Sequence, residues 1–150
     1  MRIVVQRVKE ASVTIDGTKK SSIGVGMMIL VGVEEADTVD DVEWLAKKVI
    51  AMRIFNDSEG VMNLPISAVD GDILVVSQFT LHASTRKGNR PSYIRAARPE
   101  TAIPLYRAFI DALNAQLPRP CGEGTFGADM QVALVNDGPV TIIIDSKLRE

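Results

Sequence analysis

A chain of 150 residues with 46% hydrophobic and 24% charged residues has ordinary globular composition, and its length suits one domain that buries roughly 68–70% of its unfolded-chain surface. A formal net charge of −2 provides no global attraction to nucleic acid, so any RNA contact has to be local. The one cysteine, Cys121, excludes an internal disulfide; the N-terminus alternates charge with apolar residues instead of building a secretion signal, and the apolar run from Met27 is too short to span a bilayer, so a cytoplasmic protein is expected.

Residues 2–8 and 11–16 alternate with a period of two and predict two strands joined by a turn near Lys9-Glu10. Gly24-Val25-Gly26 leads into M-M-I-L-V-G-V, a continuous apolar run suited to a central strand covered on both faces. From Thr38 the period changes. Val39, Val42, Leu45, Ala46, Val49 and Ile50 share one helical face, and Thr38 with Asp41 has capping-box spacing, so a helix ending near Met52 is predicted. The six carboxylates between Glu34 and Glu43 lie by the positive end of that helix dipole, and no His or Cys joins them as a metal ligand.

R-I-F-N-D reads as a strand ending in the turn D-S-E-G, and D-I-L-V-V-S-Q-F as a strongly apolar strand. A second helix carries Tyr106, Phe109, Ile110, Leu113 and Leu117 on its buried stripe. Pro104 is acceptable there if Thr101 is the N-cap and would kink a helix begun at Pro99. C-G-E-G-T-F-G reads as a loop, and M-Q-V-A-L-V-N and V-T-I-I-I-D as two closing strands. Between them, Gly138-Pro139 marks a break in regular pairing, because proline donates nothing to a sheet ladder. The elements predict one mixed α/β domain over residues 1–150, with a largely antiparallel, barrel-like or strongly twisted sheet flanked by two main helices.

The usual catalytic inventory is almost empty. His82 is the only histidine, and there is no P-loop lysine, no H-E-x-x-H and no G-x-S-x-G, which argues against a triad hydrolase, a metalloenzyme and an NTPase. No metal and no cofactor are expected. What remains is a polar strand end, S-Q-F-T at 77–80, where backbone N–H groups leave the ladder. On residue chemistry alone the favoured reading is that Thr80 caps a turn and Gln78 faces solvent, since a threonine hydroxyl without a base is a poor nucleophile.

S-Q-F-T-L at 77–81 together with N-D-G-P-V-T at 136–141 strongly resembles the two signature motifs of the D-aminoacyl-tRNA deacylase family. The similarity extends through V-Q-R-V, R-I-F-N-D-S-E-G-V-M-N-L, R-P-S-Y and A-D-M-Q-V-A-L-V-N; His82 and Pro104 depart from it outside the motifs. The resemblance implies a homodimer that hydrolyses the ester between a D-amino acid and the terminal adenosine of tRNA, with the active site at the subunit interface and neither DNA nor membrane as a partner. It implies a cis Gly138-Pro139 bond, a turn that each subunit inserts into its partner's site, Val140 and Thr141 as flanking residues of that turn, and Arg7 as its buttress.

A wall of backbone carbonyls at Gly138-Pro139 explains chiral selection by exclusion. A D side chain points away, whereas an L side chain meets the wall, and glycine, with no Cβ to reject, leaks through. Backbone N–H groups around Phe79 and Thr80, flanked by Ser77 and Gln78, are the expected oxyanion donors. Either Thr80 attacks, or water attacks with help from the neighbouring ribose hydroxyl; the second is favoured because no obvious base accompanies Thr80. Residues 84–98 hold five basic residues, and Arg86, Lys87, Arg90 and Arg95 are the expected contacts to acceptor-stem phosphates. The competing readings are a non-catalytic dimeric module that binds an RNA end or a peptide, and an esterase for small D-amino esters.

Overall fold

Asp16 and Gly17 both take positive φ, 50° and 75°, and close a two-residue hairpin between Ile15 and Thr18 in this computed structural model, which describes all 150 residues. An Asp-Gly pair is what such a turn favours, because its mirror-image dihedrals match the twist of the strands. The predicted turn at Lys9-Glu10 is not there. Residues Arg2–Ile15 form one continuous strand, β1, and the irregularity between Val8 and Glu10 is absorbed as a bulge in its pairing. Thr18–Ile23, a stretch too polar to read as a strand, is β2.

Strand β1 pairs antiparallel with three others: with β2 along its second half, with β3 (Gly26–Gly32) along its first half, and with the last strand on its opposite edge. β3 lies between β1 and the parallel strand that follows it in space, in the central position expected of M-M-I-L-V-G-V. Its side chains alternate between two cores. Met27, Ile29 and Val31 face the helices, while Met28 faces a second apolar layer with Val8, Val13, Leu74 and Val76. Burial on both faces is the physical reason for the unbroken apolar run.

Helix α1, Val39–Ala51, starts at Thr38 as expected, and the Asp41 carboxylate accepts from the Thr38 N–H at 2.8 Å. The R-I-F-N-D strand shrinks to β4 (Phe55–Asn56), which pairs with β5 (Met62–Leu64) in a separate small ribbon. β6 is Asp72–Ser77. Helix α2, Pro99–Asn114, has Arg98 and not Thr101 at its N-cap, and runs through Pro104. The Glu35 carboxylate stabilises its start by accepting from the Arg98 N–H (2.7 Å) and the Thr101 hydroxyl (2.9 Å). Both helices pack against each other, and Tyr106, Phe109, Ile110 and Leu113 are buried as the period predicts. The C-G-E-G segment contributes a short parallel strand, β7 (Gly122–Glu123), where only a loop is expected.

The two closing strands are one strand, β8 (Gln131–Asp145), paired with β1 along its length. The sheet, in the order β8-β1-β3-β6-β7 with β2 beside β1, is nearly closed and barrel-like, with antiparallel pairing around β1 and parallel pairing beyond β3.

Candidate active site

Within β8, Gln6 pairs with Thr141 and Val8 pairs with Asn136, so residues 137–140 lie opposite the single residue Arg7. The N-D-G-P-V-T segment is therefore a wide bulge inside a strand. Gly138 has φ 126°, a region L residues rarely adopt, and the Gly138–Pro139 peptide is cis. Both residues are exposed, Val140 packs against the main core, and Thr141 returns to the ladder.

Arg7 is only 6% exposed and uses its guanidinium as a clamp. Nε donates to the Asp137 carbonyl at 3.0 Å and Nη1 to the Ile54 carbonyl at 2.6 Å and to Asn56 Oδ1 at 3.2 Å; the Asp137 carboxylate lies 3.3 Å from Nε. The bulge is thus tied to β4, an element that sequence periodicity leaves unconnected to it. A fixed fork with several donors suits this task, which a lysine ammonium would not perform.

At the end of β6, Ser77, Gln78 and Phe79 line a cavity of about 250 Å³ whose other walls include Tyr106, Phe126 and Met130. The chain then makes a single 3-10 turn, Phe79–His82. The Gln78 N–H donates to Val31 O (2.7 Å) and that of Leu81 to Gln78 O (3.3 Å), whereas the N–H groups of Phe79 and Thr80 have no backbone acceptor. These are the orphan donors of a helix start. β3 fits closely under the turn: a Cβ at Gly32 would stand 2.9 Å from Leu81 Cβ and 3.1 Å from Gln78 O, so glycine is required for the approach. From β1, Arg2 Nη1 donates to the Leu81 carbonyl at 2.8 Å.

The four strand-end residues do not share one cavity. Thr80 faces a larger hollow of about 840 Å³ with Arg2, Trp44, Ile142 and Asp145, and it is joined to the first by the Gln78 amide, which donates to its hydroxyl oxygen at 2.6 Å. Asp145 is held by Arg2 at 2.9 Å. His82 is fully buried, with both ring nitrogens unpaired and Nδ1 4.0 Å from a Glu34 carboxylate oxygen, so it presents no base to either cavity. Burial pushes the Tyr106 phenol above its ordinary pKa, and its hydroxyl donates to the Val75 carbonyl at 3.1 Å. Burial likewise pushes the Cys121 thiol up to about 12, which removes it as a nucleophile.

Arg86, Lys87 and Arg90 stand exposed without ion pairs, while Arg95 is drawn to Glu34 at 3.2 Å. No group of three or more His, Cys, Asp or Glu residues is arranged to hold a metal. Neither Gly138 nor Pro139 lines the cavity of Ser77–Phe79 or that of Thr80. Sequence reading overlooks Tyr106 and Phe126 as cavity walls: Tyr106 lies on an ordinary buried stripe, distinguished only by its hydroxyl, and Phe126 sits in a loop whose path depends on β7.

Comparison with known proteins places this geometry. The chain is 60% identical to the D-aminoacyl-tRNA deacylase of Parabacteroides distasonis and 62% identical to that of Bacteroides thetaiotaomicron, over 150 residues and 100% of both chains in each case. A solved structure described as c-Myc DNA Unwinding Element Binding Protein superposes with a TM-score of 0.91 at 39% identity, covering 97% of this chain and 98% of the other. A probable eukaryotic D-amino acid tRNA deacylase, at 17% identity and a TM-score of 0.79 over 95% of this chain and 97% of that one, shares the fold. Residues 4–145 match the family model described as D-Tyr-tRNA(Tyr) deacylase, and the chain belongs to that family.

Proposed function

We propose that this protein hydrolyses the ester linking a D-amino acid to the terminal adenosine of tRNA, acting in the cytoplasm as a homodimer with its sites at the subunit interface. The names of the relatives at 60 and 62% identity support the reaction. The observation that carries the dimeric form of the site is a separation: an exposed backbone bulge on a rigid arginine mount serves no cavity of its own chain, while the Ser77–Phe79 cavity has no chiral gate. A second copy supplies each with the other.

In this reading the free N–H groups of Phe79 and Thr80 receive the developing oxyanion, the effect that often contributes most to catalysis. Water adds to the ester carbonyl, its proton passing by way of the neighbouring 2′-hydroxyl. The bond to the 3′-oxygen breaks, releasing a free amino acid and a tRNA with a free 3′-hydroxyl. Thr80 as nucleophile is the less favoured route, because its oxygen is engaged by Gln78 and no free base accompanies it. Gly138 and Pro139 reject an L side chain, so glycyl-tRNA is also hydrolysed. Arg86, Lys87, Arg90 and Arg95 contact acceptor-stem phosphates, and Ser77 and Gln78 complete the wall beside the reacting carbonyl.

The test is a set of hydrolysis assays with D-tyrosyl-tRNA, L-tyrosyl-tRNA, glycyl-tRNA and a small D-tyrosine ester. Turnover of the D and glycyl forms alone is expected. No turnover would leave a binding module in place of an enzyme, and cleavage of the small ester would point to an esterase that does not need RNA. A Thr80→Ala protein that still turns over D-tyrosyl-tRNA would eliminate the covalent route.

A further inference from the structure

Phe79 is among the residues lining the 250 Å³ cavity and is 54% exposed as a residue. Tyr93, 41% exposed, meets it edge to face, with ring centroids 5.1 Å apart and planes at 74°. The pairing is built in by the chain path. Ser84 and Ser92 exchange backbone hydrogen bonds of 2.8 and 2.9 Å, closing the loop between them and setting Tyr93 at its foot, and Ala96 N–H donates to the Tyr93 carbonyl at 3.0 Å. Arg86, Lys87 and Arg90 then occupy the loop tip with no carboxylate partner.

From the cavity outwards the surface thus presents an aromatic pair, then free cations. A cavity of 250 Å³ falls below the roughly 300–1,000 Å³ that holds a drug-sized ligand, so it has no room for a second nucleotide. A polyanionic strand leaving it meets π-faces before charge, which is the arrangement that binds single-stranded nucleic acid without reading sequence.

We propose that Phe79 and Tyr93 form a stacking platform for the unpaired base immediately preceding the terminal adenosine, with Arg86, Lys87 and Arg90 receiving the phosphates upstream. The proposal rests on the deacylase reading above. Stacking needs the ring and not the phenol hydroxyl, and it needs the base and not only its phosphate.

The experiment compares three substrates, D-tyrosyl-adenosine, the dinucleotide D-tyrosyl-CpA, and the same dinucleotide with its cytosine base removed, alongside intact D-tyrosyl-tRNA. The intact dinucleotide should exceed its abasic form in kcat/KM by roughly 5- to 150-fold, the range expected for one stacked base. In Tyr93→Ala that ratio should fall to about one, and in Tyr93→Phe it should persist. A wild-type ratio of one while D-tyrosyl-tRNA is hydrolysed overturns the platform alone, and so does a Tyr93→Ala ratio equal to that of wild type. If D-tyrosyl-tRNA is not hydrolysed at all, the deacylase reading fails and takes the platform with it. The wild-type ratio decides the matter even if Tyr93→Ala does not fold.

Discussion

Arg7 shows how one side chain sets the shape of a backbone feature far away in sequence. Its hydrogen bonds join the bulge at Asp137 to the carbonyl of Ile54, just before β4, and truncation would leave that carbonyl buried without a donor. Arg7→Ala should therefore lower stability in urea by about 1–3 kcal/mol. It should also let L-tyrosyl-tRNA hydrolysis rise relative to the D form, and Arg7→Lys should not restore the ratio, because an ammonium cannot span the same acceptors. An unchanged D-to-L ratio in Arg7→Ala would show that the mount does not govern the gate. His82 makes the opposite point: two positions from Thr80 in sequence, its ring is buried and lines neither cavity.

At the level of elements, α1 owes much of its fixed position to the acidic cluster that precedes and opens it. Asp37 is buried against the amino group of Met1 and the Glu34 N–H. Burial alone would raise the Asp41 carboxyl, but hydrogen bonds from Lys147 (2.7 Å), Ser146 and the Thr38 N–H outweigh it and hold Asp41 well below the usual carboxylate range. A carboxyl depressed in the folded state contributes stability above its unfolded pKa of about 3.9, and that stability is lost as pH falls through the folded value. Wild-type protein should thus lose stability between about pH 5 and pH 2 more steeply than Asp41→Asn, as measured by urea unfolding at successive pH values. Parallel curves would remove Asp41 from the acid transition. Asp40 and Asp41 lie in the first turn of α1, as their reading as dipole partners expects, and Asp37 and Asp41 in addition tie the start of the helix to Met1 and Lys147, near the two ends of the chain.

For the whole molecule, the proposed site is complete only when two copies meet. The Thr80 hollow is an uncovered apolar surface beside Ile143 and Leu148, both largely exposed in the single chain. Light scattering after gel filtration should give twice the chain mass of 16.3 kDa, about 33 kDa, at micromolar concentration. Full deacylase activity at a mass of 16.3 kDa would overturn the shared site.

The sequence by itself determined what local chemistry controls: the period and N-cap of α1, the buried stripe of α2, the two-sided burial of β3, and the break in pairing at Gly138-Pro139. It also carried both motifs, since S-Q-F-T-L and N-D-G-P-V-T are contiguous strings. Tertiary structure alone decided the rest, because long-range pairing overrides local pattern. Lys9-Glu10 stays in a strand since β8 pairs alongside it and accommodates a bulge. Thr18–Ile23 becomes a strand because β1 supplies its ladder. The same pairing turns an apparent turn between two strands into a bulge facing Arg7, and it sends Thr80 and Ser77–Phe79, neighbours in sequence, into two different cavities.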